Sequence, residues 1–179
     1  TGVTTIKQAI VELSSKHFDL IIYMVGVDKK MPIKVSKRIK KDYPYIPIFL
    51  LLNNNSDAGY FIKMQGKLPF IDNLFSWNGD PNIFFTMIKL LEDKVNIEND
   101  TRIGDVRVIL VVEDSPVYYS RYLSFLFRVV MNQTKRIIDD VAADELYKVL
   151  RLRARPKILH ASNFDEAVSI INKYKQYIK

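Results

Sequence analysis

The sequence predicts an α/β fold built on a parallel sheet, and three observations lead there. Short runs of β-branched and aliphatic residues recur at 18–25, 46–52, 70–77 and 106–112. Between them lie segments whose apolar residues return every three or four positions. Each run also ends in polar or turn-forming residues. Alternation of this kind builds βαβ units, a doubly wound parallel sheet with helices on both faces and right-handed crossovers.

Residues 4–17 place Ile6, Ile10, Val11 and Leu13 in helical register. The run 18–25 (FDLIIYMV) reads as a buried strand, and 26–32 as the loop at its carboxyl end. A short basic helix is expected over 33–41, with Ile33, Val35 and Ile39 as its apolar positions and Pro44 beyond its end. The run 46–52 (IPIFLLL) is a second buried strand, and the asparagines after it suit a strand-to-loop turn. Residues 58–67 read as a weak helix and 70–77 as a strand closed by the turn Asn78-Gly79-Asp80-Pro81. A helix follows over 82–94. The polar stretch 96–105 reads as a linker, which divides the chain into 1–95 and 106–179.

The stretch 106–116 (VRVILVVEDSP) organises the second part. A near-continuous apolar run of this length predicts a strand buried on both faces of a parallel sheet. Glu113 and Asp114 fall at its carboxyl end, where open α/β sheets gather ligands. Adjacent carboxylates suit a hard cation such as Mg²⁺; equally, they suit the positive end of the helix that Ser115 and Pro116 begin. Residues 118–140 read as a long helix, with Tyr119, Leu123, Phe127, Val130, Ile137 and, just past its end, Val141 in helical register. It exceeds one crossover, so 145–153 is expected as part of an additional helical hairpin. Arg151, Arg153, Arg155 and Lys157 make a basic run, read as a solvated face or, more sharply, as a site for an anion or acidic partner. Residues 157–162 are the last strand. The final helix is capped by Asn163 with Glu166 at its third position.

Composition narrows the class of function. The 179 residues carry a net charge of +7 and no cysteine, so there is neither a thiolate nucleophile nor a thiolate metal site. No apolar run reaches the ~18 residues of a membrane span, and a cytoplasmic protein without a membrane partner is expected. The charge admits an anionic partner, but lysine-rich surfaces are common and nucleic acid is not the expected one. No glycine-rich phosphate loop and no nucleophile with a paired base stand out, so an enzyme is not expected. His17 reads as a cationic residue at a helix end, and His160 as a packed imidazole within a strand.

Residues 18–47 and 106–116 resemble pieces of the receiver domain of two-component response regulators. The whole chain is similar to the tandem receiver region that precedes the pyruvate/phosphoenolpyruvate-binding module in phosphoenolpyruvate synthase-like response regulators, on the segments 89–94 (KLLEDK), 108–123 and 150–159 (LRLRARPKIL). The resemblance implies a five-stranded, flavodoxin-like receiver sheet in the order 2-1-3-4-5, with a helical insertion after the organising strand. It also implies that Glu113 and Asp114 occupy the acidic pair that holds Mg²⁺. At the phosphoacceptor place of the first unit stands Met24, at the place of the hydroxyl residue Leu52, and at that of the lysine Trp77. All three are apolar, so the resemblance implies a pseudo-receiver. Asp28 is a substitute acceptor on position alone, and a surface pair with its lysine neighbours is the simpler reading.

Against the receiver pattern the first unit lacks the first strand, and the second carries only the first two strands and helices. One permuted receiver is therefore expected, with 106–112 pairing beside 20–25, either within one chain or by exchange between two copies. The expected function is a non-catalytic signalling or interaction domain whose partner is a protein or a second copy. A histidine kinase and a fused phosphoenolpyruvate-binding module are the implied associates. The alternatives are a phosphoacceptor fragment whose aspartate lies outside this chain, and a nucleic-acid-binding module using the lysines of 33–41 and the arginines of 151–157.

Overall fold

The computed structural model describes residues 1–53, 55–64, 68–139 and 145–178. It forms two compact units, Thr1–Asn78 and Gly79–Lys179. No helix among the described residues is long and apolar enough to cross a membrane.

The first unit runs α1 (Ile6–Ser15), β1 (Ile21–Met24), α2 (Met31–Asp42), β2 (Ile48–Leu52), α3 (Asn55–Ile62) and β3 (Asn73–Ser76). Thr5 begins α1 with a capping box: its hydroxyl accepts from the Gln8 N–H, and the Gln8 side chain accepts from the Thr5 N–H. The strands form one parallel sheet in the order β1-β2-β3. All five side chains of β2 are buried, and at about 1.5–3 kcal/mol for each large aliphatic side chain removed from water they anchor this unit. On α2 the buried positions are Pro32, Val35, Ser36 and Ile39, the spacing that turns one helical stripe inward. Asp72 ties helix to sheet: its carboxylate accepts from the Ile48 N–H at 2.8 Å and pairs with Lys40 at 2.8 Å.

The second unit runs α4 (Asn82–Gly104), β4 (Val108–Val112), α5 (Pro116–Asp139), α6 (Glu145–Arg153), β5 (Lys157–Ala161) and α7 (Phe164–Tyr174). β4 and β5 are parallel, with Val108 opposite Lys157 and Val112 opposite Ala161. Ile97, Val108, Leu159 and Tyr174 form a buried cluster, against which Leu110, Ile170, Tyr177 and Ile178 pack. Asn163 caps α7 by accepting from the Glu166 N–H, while the Glu166 carboxylate reaches back to the N–H and hydroxyl of Ser162. The box therefore closes one residue earlier than the expected pattern.

Three expectations are corrected. The α/β class and the parallel pairing hold, but the five strands lie in two sheets of three and two rather than in one flavodoxin-like sheet. Among the described residues β4 forms its ladder with β5, and the pairing of 106–112 beside 20–25 is not made. The start of β4's other edge is taken by the end of the chain, where the Val108 N–H donates to the Tyr177 carbonyl and Val108 bridges Ile178. Nor is β4 buried on both faces: Val108 is buried, the next three residues are half-buried and Val112 is exposed. The third correction concerns 96–105, which is no linker, because α4 continues to Gly104. Ile97, Asp100 and Thr101 are buried there, and the polar side chains are consumed internally: the Thr101 hydroxyl donates to the Ile97 carbonyl and Asp100 pairs with Lys157. The helix ends at Asp105, whose φ of 47° is left-handed.

Candidate functional site

The carboxyl end of β4 holds the expected acidic pair. Glu113 is half-buried and Asp114 exposed. The Glu113 N–H extends the ladder to the Ala161 carbonyl at 3.1 Å, and its carboxylate accepts from the Ser115 N–H at 3.0 Å. The Ser115 carbonyl in turn accepts from the N–H groups of Tyr118 and Tyr119, which starts α5 at Pro116. Glu113 thus organises the helix entry, whereas Asp114 faces water. The pair offers two carboxylates, and no group of three or more metal-ligating side chains occurs among the described residues.

His160 stands next to this pair on β5. Its Nε2 lies 2.8 Å from the Glu113 carbonyl, and its ring centroid is 4.2 Å from that of Tyr119. Because a carbonyl only accepts, Nε2 carries the proton in the neutral ring. Burial holds the imidazole below its ordinary pKa, against the opposing pull of the Glu113 carbonyl and of the Glu166 and Glu113 charges. The packed imidazole expected at this position is what the fold contains. Nearby, burial raises the Glu166 carboxyl, but the hydrogen bonds from Ser162 more than offset it and leave it below the usual range.

At the carboxyl edge of the first sheet, β1 ends in Met24, which is 55 % exposed. β2 ends in the fully buried Leu52, and Trp77 follows β3 with its N–H donating to the Leu52 carbonyl. The Asn53 amide donates to the Val25 carbonyl and joins the two loops. Asp28 does not pair with its lysine neighbours: its carboxylate accepts from the Lys30 N–H at 2.9 Å as a turn-former. Lys29 reaches instead to the buried Asp57 at 3.2 Å and the Ser56 hydroxyl at 3.1 Å, with the Tyr60 ring 5.8 Å away. That pair crosses from the β1–α2 loop to α3, a separation that residue patterning does not reveal.

A larger omission lies in the second unit. Asp93 is fully buried and binds Arg155 through two bonds of 2.9 and 2.6 Å, and it accepts from the Ile158 N–H at 2.9 Å. Lys157, also buried, lies 3.9 Å from Asp93 and 2.7 Å from Asp100. Two cations and two carboxylates thus form a quartet that joins α4 to the start of β5 and the segment before it. Burial pushes the Asp93 carboxyl up, while Arg155, Ile158 and Lys157 pull the other way. The expected solvated basic face at 151–157 is corrected accordingly: Arg155 and Lys157 are interior groups, Arg153 is exposed, and the Arg151 side chain lies outside the described residues. His17 likewise does not cap α1, since Lys16 is the C-cap residue and His17 lies exposed, 3.3 Å from Asp19.

No family model matches the chain, and no significant match occurs among curated proteins or solved structures.

Proposed function

We propose that this chain is a signalling or interaction protein of receiver ancestry that lacks a phosphoacceptor of its own and catalyses nothing by itself. The observation that carries this reading is Met24, a thioether at the carboxyl end of β1, where a receiver would present its aspartate. Leu52 and Trp77, in the places of the hydroxyl and lysine that would steady a phosphoryl group, support the same loss. Parallel strands in the order β1-β2-β3 agree with the last three strands of a receiver, and adjacent parallel β4 and β5 with its first two. Glu113 and Asp114 are the residues that would hold Mg²⁺, an ion that neutralises their charge. The partners are a second protein or a second copy, with a histidine kinase or an attached phosphoenolpyruvate-binding module as the associates that the ancestry suggests, in a cytoplasmic setting.

Trp77 is the only tryptophan of the chain and directly follows β3, so its fluorescence reports on this edge of the sheet. On addition of Mg²⁺ and beryllofluoride, a phosphoryl mimic that needs an acceptor carboxylate, the emission stays unchanged. A saturable change abolished by Asp28→Asn would place a working acceptor in the loop after β1 and defeat the proposal.

A further inference from the structure

The outward face of α5 is surplus to the core. Tyr119, Leu123, Phe127, Val130 and Ile138 bury one side of this helix, yet Tyr118, Tyr122 and Phe125 on the other side are 52 %, 49 % and 56 % exposed. Their spacing of four and three residues sets them in one row. The Tyr118 and Tyr122 rings are stacked, with centroids 6.3 Å apart and planes within 14°. Along the same face Arg121, Arg128 and Lys135 are exposed and recur every seven residues, about 10 Å apart at 1.5 Å of rise per residue. The Arg128 guanidinium lies 5.8 Å from the Phe125 ring centroid. From 116 to 138 the chain has no aspartate or glutamate.

Isolated apolar residues on a surface need no explanation, but a contiguous row of large rings beside a row of cations does. A second copy of α5 is a poor occupant, because it would bring cations against cations. A duplex offers phosphates but keeps its bases stacked inside, leaving the rings unused. Single-stranded nucleic acid offers both complements: phosphates for Arg121, Arg128 and Lys135, and flat bases for Tyr118, Tyr122 and Phe125. The surplus of seven positive charges over the whole chain acts in the same direction.

We infer that the outer face of α5 is a platform for single-stranded nucleic acid, gripping the backbone through Arg121, Arg128 and Lys135 and stacking bases on Tyr118, Tyr122 and Phe125. This goes beyond the receiver reading and does not depend on it, and it uses none of the basic residues of 33–41 or 151–157.

Fluorescence anisotropy of a labelled oligothymidylate of about 15 nucleotides against the full chain tests it. Binding is expected at low salt, and Arg121→Gln/Arg128→Gln should flatten the slope of log affinity on log salt by about 1.4, for two lost phosphate contacts. The variant Tyr122→Ala/Phe125→Ala should weaken binding about tenfold or more while keeping the wild-type slope, since it removes stacking and no charge. All four side chains are exposed, and an unchanged melting curve confirms that the variants fold. Absence of binding at low salt overturns the inference, as do variants that bind like the wild type. Equal affinity for a hairpin duplex or for poly-glutamate also overturns it, because the surface would then answer to negative charge alone.

Discussion

Arg155 shows how one side chain changes meaning between sequence and structure. In the sequence it is one of four cations around Pro156, a composition that ordinarily faces water. In the fold it is 3 % exposed and holds Asp93 through two hydrogen bonds. Two opposing terms decide what that is worth, because desolvating both ions costs nearly what their attraction returns, whereas removing one strands the other. Arg155→Met should therefore cost about 3–5 kcal/mol in urea unfolding, and Asp93→Leu added to it should restore only part of the loss, because the buried Ile158 N–H then lacks its acceptor. His160 makes a different prediction. Its folded-state pKa lies below the ordinary imidazole value of about 6.5, so the unfolded chain takes up the proton first as pH falls. Its contribution to stability is full above pH ~6.5 and is lost progressively as pH drops towards the folded value. His160→Gln should be less pH-dependent than the wild type in that window, measured by thermal unfolding. The packing of His160 was legible because a lone imidazole inside an apolar run has few other uses. The quartet was not, because 93, 100, 155 and 157 are brought together only by tertiary structure.

At the scale of elements, the apolar runs and helical periods located nearly every strand and helix, with boundaries shifted by a few residues. What failed was the inference from polarity to exposure. Residues 96–104 carry Asn96, Glu98, Asn99, Asp100, Thr101 and Arg102, yet they are the last turns of α4. Periodicity counts apolar residues, and this segment buries Asp100 and Thr101 beside Ile97 by supplying them with internal partners. Asn99 is exposed on that stretch, so Asn99→Pro separates the two readings. In a helix interior the ring removes a hydrogen bond and clashes with the preceding turn, for a loss of about 3 kcal/mol or more by urea unfolding; a linker would absorb it with almost no change. The ranking of strands was misjudged for a related reason. The runs at β2 and β4 look equally apolar, but only β2 has a strand on each side along its length and all its side chains covered.

For the whole molecule, alternation of strand and helix disclosed the α/β class and the parallel pairing, but not how many strands share a sheet. Within the second unit β4 pairs with β5 along its length, and Val108 alone meets Tyr177 and Ile178 on the other edge. The acidic pair was located correctly at a strand end, and its division of labour, with Glu113 turned to the helix entry and Asp114 to water, came only with the backbone. The receiver ancestry without an acceptor proposed above makes its claim about chemistry at the end of β1. Intact-mass spectrometry after incubation with acetyl phosphate and Mg²⁺ addresses it most directly. The expected spectrum is that of the unmodified chain at every time point. A labile phosphoryl adduct that localises to an aspartate and disappears on chelating Mg²⁺ would contradict it.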